Sequence, residues 1–154
     1  NIFTRNEIHM RHAVMLERYI KYSTLELQTL KEMMKQYIIP AGMKYKQTLL
    51  NLMASANSLS LDSKVETDCF QQVEKLVSDL HQWEKDLAQF LHCELSENEN
   101  ELERIKENKK TGTQIAEFLA GKGRLIVNGC NELEEVLPDE VWPFPKLKDL
   151  LFIK

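Results

Sequence analysis

A chain of 154 residues with 43% apolar and 29% charged side chains has the size and make-up of one globular domain, able to bury a core without disulfide or metal staples. Cys69, Cys93 and Cys130 are odd in number and form no CxxC pair, which argues against a disulfide framework or a cysteine zinc site and fits a reducing, cytoplasmic setting. No apolar run reaches the roughly 18 residues of a membrane span; the net charge of −4 divides into +4 over residues 1–50 and −8 over the rest, with no basic stripe interleaved with aromatics, so neither membrane nor nucleic acid is expected as a partner.

Thr4-Arg5-Asn6-Glu7 reads as a capping box, a hydroxyl N-cap with a carboxylate three residues on. From His9 the positions 9, 13, 16, 20, 23, 27, 30, 34 and 37 step by four and three without a slip. They carry apolar residues except for His9 and Ser23, which predicts one helix over 5–39 with a heptad core seam. Pro40 lacks the backbone donor and should end or kink that helix. A continuation over 41–57 places Tyr45, Leu49, Leu52, Met53 and Ala56 on one side. Ser58-Leu59-Ser60-Leu61-Asp62-Ser63 is the first clear loop, with Asp62 or Ser63 as the next N-cap.

The helix over 63–93 has the cleanest pattern in the chain. Cys69, Val73, Leu76, Leu80, Trp83, Leu87 and Phe90 alternate steps of four and three, and Phe70, Val77 and Leu91 widen the stripe to that of a globular bundle. The acidic, polar run 94–103 reads as a solvated helix start and holds a second capping box, Ser96-Glu97-Asn98-Glu99, so a turn falls at 93–97. A last long helix over 97–136 keeps heptad spacing through Leu102, Ile105, Ala116, Leu119, Ile126, Cys130, Leu133 and Leu137, with Lys109, Gly112 and Gly123 at seam positions between them. Glycines 112, 121 and 123 together cost about 3 kcal/mol of helix propensity. Packing against a closely approaching neighbour must offset that, or the helix breaks near 111–113 or 121–123. Pro138 ends the pattern, and Trp142-Pro143-Phe144-Pro145 cannot be helical because each proline drives its predecessor to extended geometry. The fold expected is therefore all-α: a single antiparallel bundle of long helices over 1–154 with an extended Trp-Pro-Phe-Pro arm over 138–154, Trp142 packing back on the helices.

No constellation of side chains points to chemistry. Gly121-Lys122-Gly123-Arg124 lacks phosphate-loop spacing and follows a helix rather than a strand. His9 and His12 lie three apart on one helix face, but no third metal ligand stands at a suitable spacing. His81 and His92 are isolated, and Glu7-Ile8-His9 does not make the Glu-x-x-His pair of a bundle di-iron site. Cys69 and Cys130 sit in the seams as small thiols, and Met33-Met34 reads as core. No catalytic, cofactor-binding or metal-ligating residue is assigned. The start, Asn1-Ile2-Phe3-Thr4-Arg5, is neither a signal peptide nor an initiator methionine, so the sequence reads as a segment of a longer protein.

Both ends carry more specific information. Asn1-Ile2-Phe3-Thr4, then Glu7, Arg11, Leu16-Glu17-Arg18-Tyr19-Ile20-Lys21, and Ile39-Pro40-Ala41 with Lys44-Tyr45 resemble the region after the catalytic domain of type III glutamine synthetase. The other end, Asn131-Glu132-Leu133-Glu134, then Pro138-Asp139-Glu140-Val141-Trp142-Pro143-Phe144-Pro145 and Asp149-Leu150-Leu151-Phe152, is similar to that family's carboxy-terminal ending. Residues 46–128 match only as amphipathic helix. The chain departs from the family pattern at Leu147, where a tyrosine is common, at Leu25-Glu26-Leu27, and in the glycines of 121–129. The resemblance implies a parent enzyme that condenses glutamate with ammonia using ATP and Mg or Mn, with its catalytic carboxylates and arginines in a preceding barrel domain. It also implies that this chain alone is inactive and serves packing within a homo-oligomer, its partners being the upstream barrel and neighbouring subunits. The competing expectation, from the heptads alone, is a free-standing helical-bundle interaction module.

Overall fold

The computed structural model describes residues 4–93, 101–146 and 149, and among them every regular element is helical. They form α1 (Arg5–Met33), a π turn (Met34–Ile38), α2 (Ile39–Ser58), α3 (Lys64–Cys93), α4 (Glu101–Phe118), a second π turn (Leu119–Gly123) and α5 (Arg124–Val136). The all-α expectation holds.

Local chemistry explains the boundaries. At the start of α1 the Glu7 carboxylate accepts from the Thr4 N–H at 2.7 Å and the Thr4 hydroxyl at 2.8 Å. The Glu7 N–H points back to the Thr4 hydroxyl oxygen at 3.4 Å, completing the capping box. These bonds, the backbone one foremost, hold the Glu7 carboxyl below the usual glutamate range. The helix, expected to end or kink at Pro40, does not end there, and its regular repeat gives way to a π turn over Met34–Ile38 just before the proline. Proline cannot donate to the carbonyl four residues back, and its ring presses on it. The π turn just before it absorbs the misfit, with the Ile39 N–H reaching Met34 O instead. That wider turn also rotates the seam: Tyr37, expected inside, is exposed, while Ile38 and Ile39 are buried.

α2 closes in a Schellman motif. The Leu61 N–H bonds Ala56 O at 2.9 Å and the Ser60 N–H bonds Asn57 O at 3.1 Å. Ser60 takes the left-handed conformation (φ 57°) that glycine usually fills. α3 begins one residue later than expected, with the Lys64 N–H on Asp62 Oδ1 and the Thr67 N–H on Ser63 O.

The helix expected over 97–136 does not break at Gly112, which lies within α4; it opens into the second π turn at Gly121 and Gly123. In α4 Ile115 is buried and Ala116 exposed, the reverse of the heptad reading. The capping box at 96–99 lies outside the described residues. The arm is not extended at its start. The Val141 and Trp142 N–H groups both bond Pro138 O, at 3.0 and 3.1 Å, so 138–142 makes a tight turn with proline at its head.

The described residues fall into two compact units. One comprises Asn1–Lys31 and Asp86–Arg124. In it Leu27, Leu87, Leu91 and Ile115 are buried, Phe90 stacks on Phe118 with ring centroids 4.3 Å apart, and Lys122 pairs with Asp86. The pairings 90–118 and 86–122 run α3 antiparallel to the α4 end of the chain. Gly112 sits against Leu16 and Ile20 of α1.

The other unit comprises Glu32–Lys85 and Leu125–Lys154. Its core holds Met34, Leu49, Val73, Leu80, Ile126, Leu133 and Leu137, all buried. The ion pair Lys46–Glu74 and the approach of Gly42 to Val77 set α2 antiparallel to α3.

Candidate functional site

Glycines shape the second unit. A Cβ on Gly42 would stand 2.5 Å from Val77 Cγ2 and 3.5 Å from Leu133 Cδ2, so α2 approaches α3 and α5 more closely there than any side chain allows. A Cβ on Gly129 would lie 2.6 Å from Trp83 Cζ3. Beside that contact a groove of about 270 Å³ opens between α3 and α5, lined by Lys75, Asp79, Trp83, Asn128 and Glu132 among others. Its charged side chains stand on solvated helix faces.

The C-terminal turn is held by Lys146, whose ammonium donates to Leu137 O at 2.7 Å and pairs with Asp139 at 2.9 Å. This satisfies a carbonyl just past α5. Trp142 is buried, at 8% exposure, and lies edge-on to Phe144 at 6.1 Å; Phe144 in turn meets Tyr37 of the first π turn edge-on at 5.7 Å. The aromatic arm thus packs on its own unit, as the sequence suggested. Trp142 Nε1 is buried and has no hydrogen-bond partner among the described residues.

The sequence candidates are not brought together. His9 and His12 are exposed on α1, and His81 and His92 are exposed on α3. Among the described residues no three His, Cys, Asp or Glu side chains converge as metal ligands. Gly121-Lys122-Gly123-Arg124 is helical, so its N–H groups belong to the helix ladder, and Lys122 is engaged by Asp86. These residues fit neither a nucleotide phosphate nor a divalent ion. Cys69 and Cys130 are half-buried and unbridged, and burial pushes the Cys130 thiol up to about 11, away from nucleophilic chemistry at neutral pH. No helix among the described residues is long and apolar enough to cross a membrane.

What sequence reasoning missed is an apolar surface. On α1, Ile8, Met15, Tyr19 and Tyr22 are exposed and spaced by seven, four and three, which lines them along one side of the helix away from its seam. Tyr22 is also covered by the Arg18 guanidinium, 5.4 Å from its ring centroid. By contrast, Val65 is the one large apolar residue of α3 that is prominently exposed.

Residues 1–57, which span α1, the first π turn and nearly all of α2, match the family described as glutamine synthetase C-terminal domain. Over 160 aligned positions, the chain is 24% identical to a glutamine synthetase of Bacteroides fragilis; the alignment covers 99% of the chain. The chain spans about a fifth of that relative's length, 21%. No solved structure matches it. Over its first 57 residues the chain is thus similar to the glutamine synthetase C-terminal domain, and along nearly its whole length it is similar to a glutamine synthetase.

Proposed function

We propose that this chain is the non-catalytic C-terminal helical domain of a type III glutamine synthetase, and that its work is packing: supporting the parent's other domains and its contacts between subunits. The observation that carries the reading is the likeness of nearly the whole chain to one fifth of a glutamine synthetase. The family's C-terminal domain sequence at one end and the Trp142-Pro143-Phe144-Pro145 arm at the other support it. The parent would be a cytoplasmic, homo-oligomeric ligase that joins glutamate and ammonia with ATP and Mg or Mn. Those groups would be held by the catalytic domain, since nothing described here fits them.

The parent open reading frame tests the proposal. A glutamine synthetase catalytic domain encoded upstream of Asn1 is the expected result; an unrelated domain, or an initiator methionine directly before Asn1, would sink it in favour of a free-standing interaction module. With ATP, Mg²⁺, glutamate and ammonia, residues 1–154 alone should form no glutamine while the full-length protein does. Turnover by the shorter chain would overturn the assignment of a packing role.

A further inference from the structure

We infer that the exposed stripe Ile8, Met15, Tyr19 and Tyr22 on α1 is the surface on which another domain of the same polypeptide docks, an apolar patch with an acidic rim. The inference rests on the reading above and deepens it by naming the face that meets the parent's catalytic part.

The stripe lies on the solvent side of α1, where Met10, Val14 and Leu25 are exposed as well, and Ile8, Met15, Tyr19 and Tyr22 are set apart by falling along one line of the helix. Its members are 55%, 73%, 39% and 55% exposed, although a solvated helix face is ordinarily polar. Together they leave roughly 400 Å² of side chain in water, taking about 200 Å² for each whole side chain. That is the size of a functional patch on a single chain. It is also about half of the roughly 800 Å² per partner that a stable encounter between separate proteins buries. A domain joined covalently meets the stripe at high effective concentration and loses little translational freedom, so a narrow patch suffices for it and not for a second copy.

Position and charge agree with that occupant. The stripe begins within one turn of Thr4, where α1 is capped, so in the proposed parent a preceding domain enters the helix beside Ile8. In the relative, about four fifths of the length lies outside the part this chain covers, enough for such a domain. Arg5, Arg11 and Arg18 flank the stripe on the helix, with Glu7 farther round and Lys21 paired with Glu17 away from it, a net positive rim that selects carboxylates around the opposing patch.

Hydroxyl-radical footprinting of the full-length parent against residues 1–154 tests this. Met15, Tyr19 and Tyr22 should be labelled at least roughly fivefold more slowly in the full-length chain, with Met43 on α2, also exposed, as the reference that does not change. Equal labelling in a full-length protein that makes glutamine overturns the inference and leaves the proposed function standing. Protection that appears equally in residues 1–154 and vanishes on dilution assigns the stripe to a second copy and also overturns it. Met15→Glu with Tyr22→Glu should restore fast labelling of Tyr19 in the full-length protein and speed proteolysis at residues 1–5 severalfold, without moving the unfolding midpoint of residues 1–154. A full-length double variant that stays protected sinks the proposal.

Discussion

Gly42→Ala puts the close helix approach of the second unit to a quantitative test. The added methyl carbon would stand 2.5 Å from Val77 Cγ2, where apolar carbons ordinarily rest about 3.5–4.0 Å apart, so about 1 Å of space must be found. Val77 cannot readily supply it. It is buried, and a valine in a helix holds essentially one rotamer. Leu133 closes the other side at 3.5 Å. Overpacking of this kind costs about 1–3 kcal/mol, and alanine returns about 1 kcal/mol of helix propensity over glycine. The net is a loss of up to about 2 kcal/mol, or up to about 8 °C in Tm for a domain of this size. Thermal and urea unfolding followed by helical circular dichroism would measure it. Gly121→Ala is the internal control: nothing lies within 4 Å of its would-be Cβ, so the same substitution should raise stability by up to about 1 kcal/mol. In a double-mutant cycle with Val77→Ala the Gly42→Ala penalty should shrink by about 1 kcal/mol. If Gly42→Ala stabilises the chain as Gly121→Ala does, the close approach of α2 to α3 is wrong.

Three further predictions rest on single features. Ser60→Gly relieves the left-handed serine of the Schellman motif and should gain about 0.5–1 kcal/mol in urea unfolding; a loss would mean that the motif does not form. Lys146→Met keeps the side-chain stem but removes the bond to Leu137 O and the pair with Asp139, and should cost about 1–2 kcal/mol together with a rise in iodide quenching of Trp142. The Cys130 thiol is raised from 9.0 to about 11 by burial, so the stability it preserves is whole below pH 9 and drains away as pH rises through 11, by about 2–3 kcal/mol. The chain should lose that much more stability over this range than Cys130→Ala does, and equal alkaline slopes for the two would contradict the burial.

The helices were legible because their periodicity is physical. Residues 73, 76, 80 and 87 of α3 are buried as the heptad demands, and the Thr4–Glu7 box caps α1 as its spacing requires. The errors cluster where the helix repeat changes. A heptad count assumes a constant rotation per residue, and a π turn adds one residue to a single turn. This is why Tyr37 leaves the seam for Ile38 after the first shift, and why the helix repeat widens before Pro40 and across Gly121 and Gly123 without the chain leaving the helix. The arm at 138–142 was misread for a related reason: proline restricts the residue before it, but its own carbonyl remains free to close a turn with the N–H groups that follow.

Function was legible at a different level. Seam patterns such as 69–90 occur in any helical bundle and carry no chemistry, whereas the motifs at the two ends point to one family, and over residues 1–57 that family's sequence is matched. The α1 stripe was hidden in the same residues. Tyr19 belongs to the Leu-Glu-Arg-Tyr-Ile-Lys run that carries the resemblance, and Ile8, Met15 and Tyr22 lie outside the heptad seam on which the sequence reading rested. Periodicity cannot separate an apolar side chain that faces its own bundle from one that faces another domain, because both need the same helix spacing. Burial separates them. Leu16 and Ile20 close on Gly112, while Met15 and Tyr19, one position before each, stand in water. Of the two adjacent apolar lanes on α1, the described chain covers the one over Leu16 and Ile20.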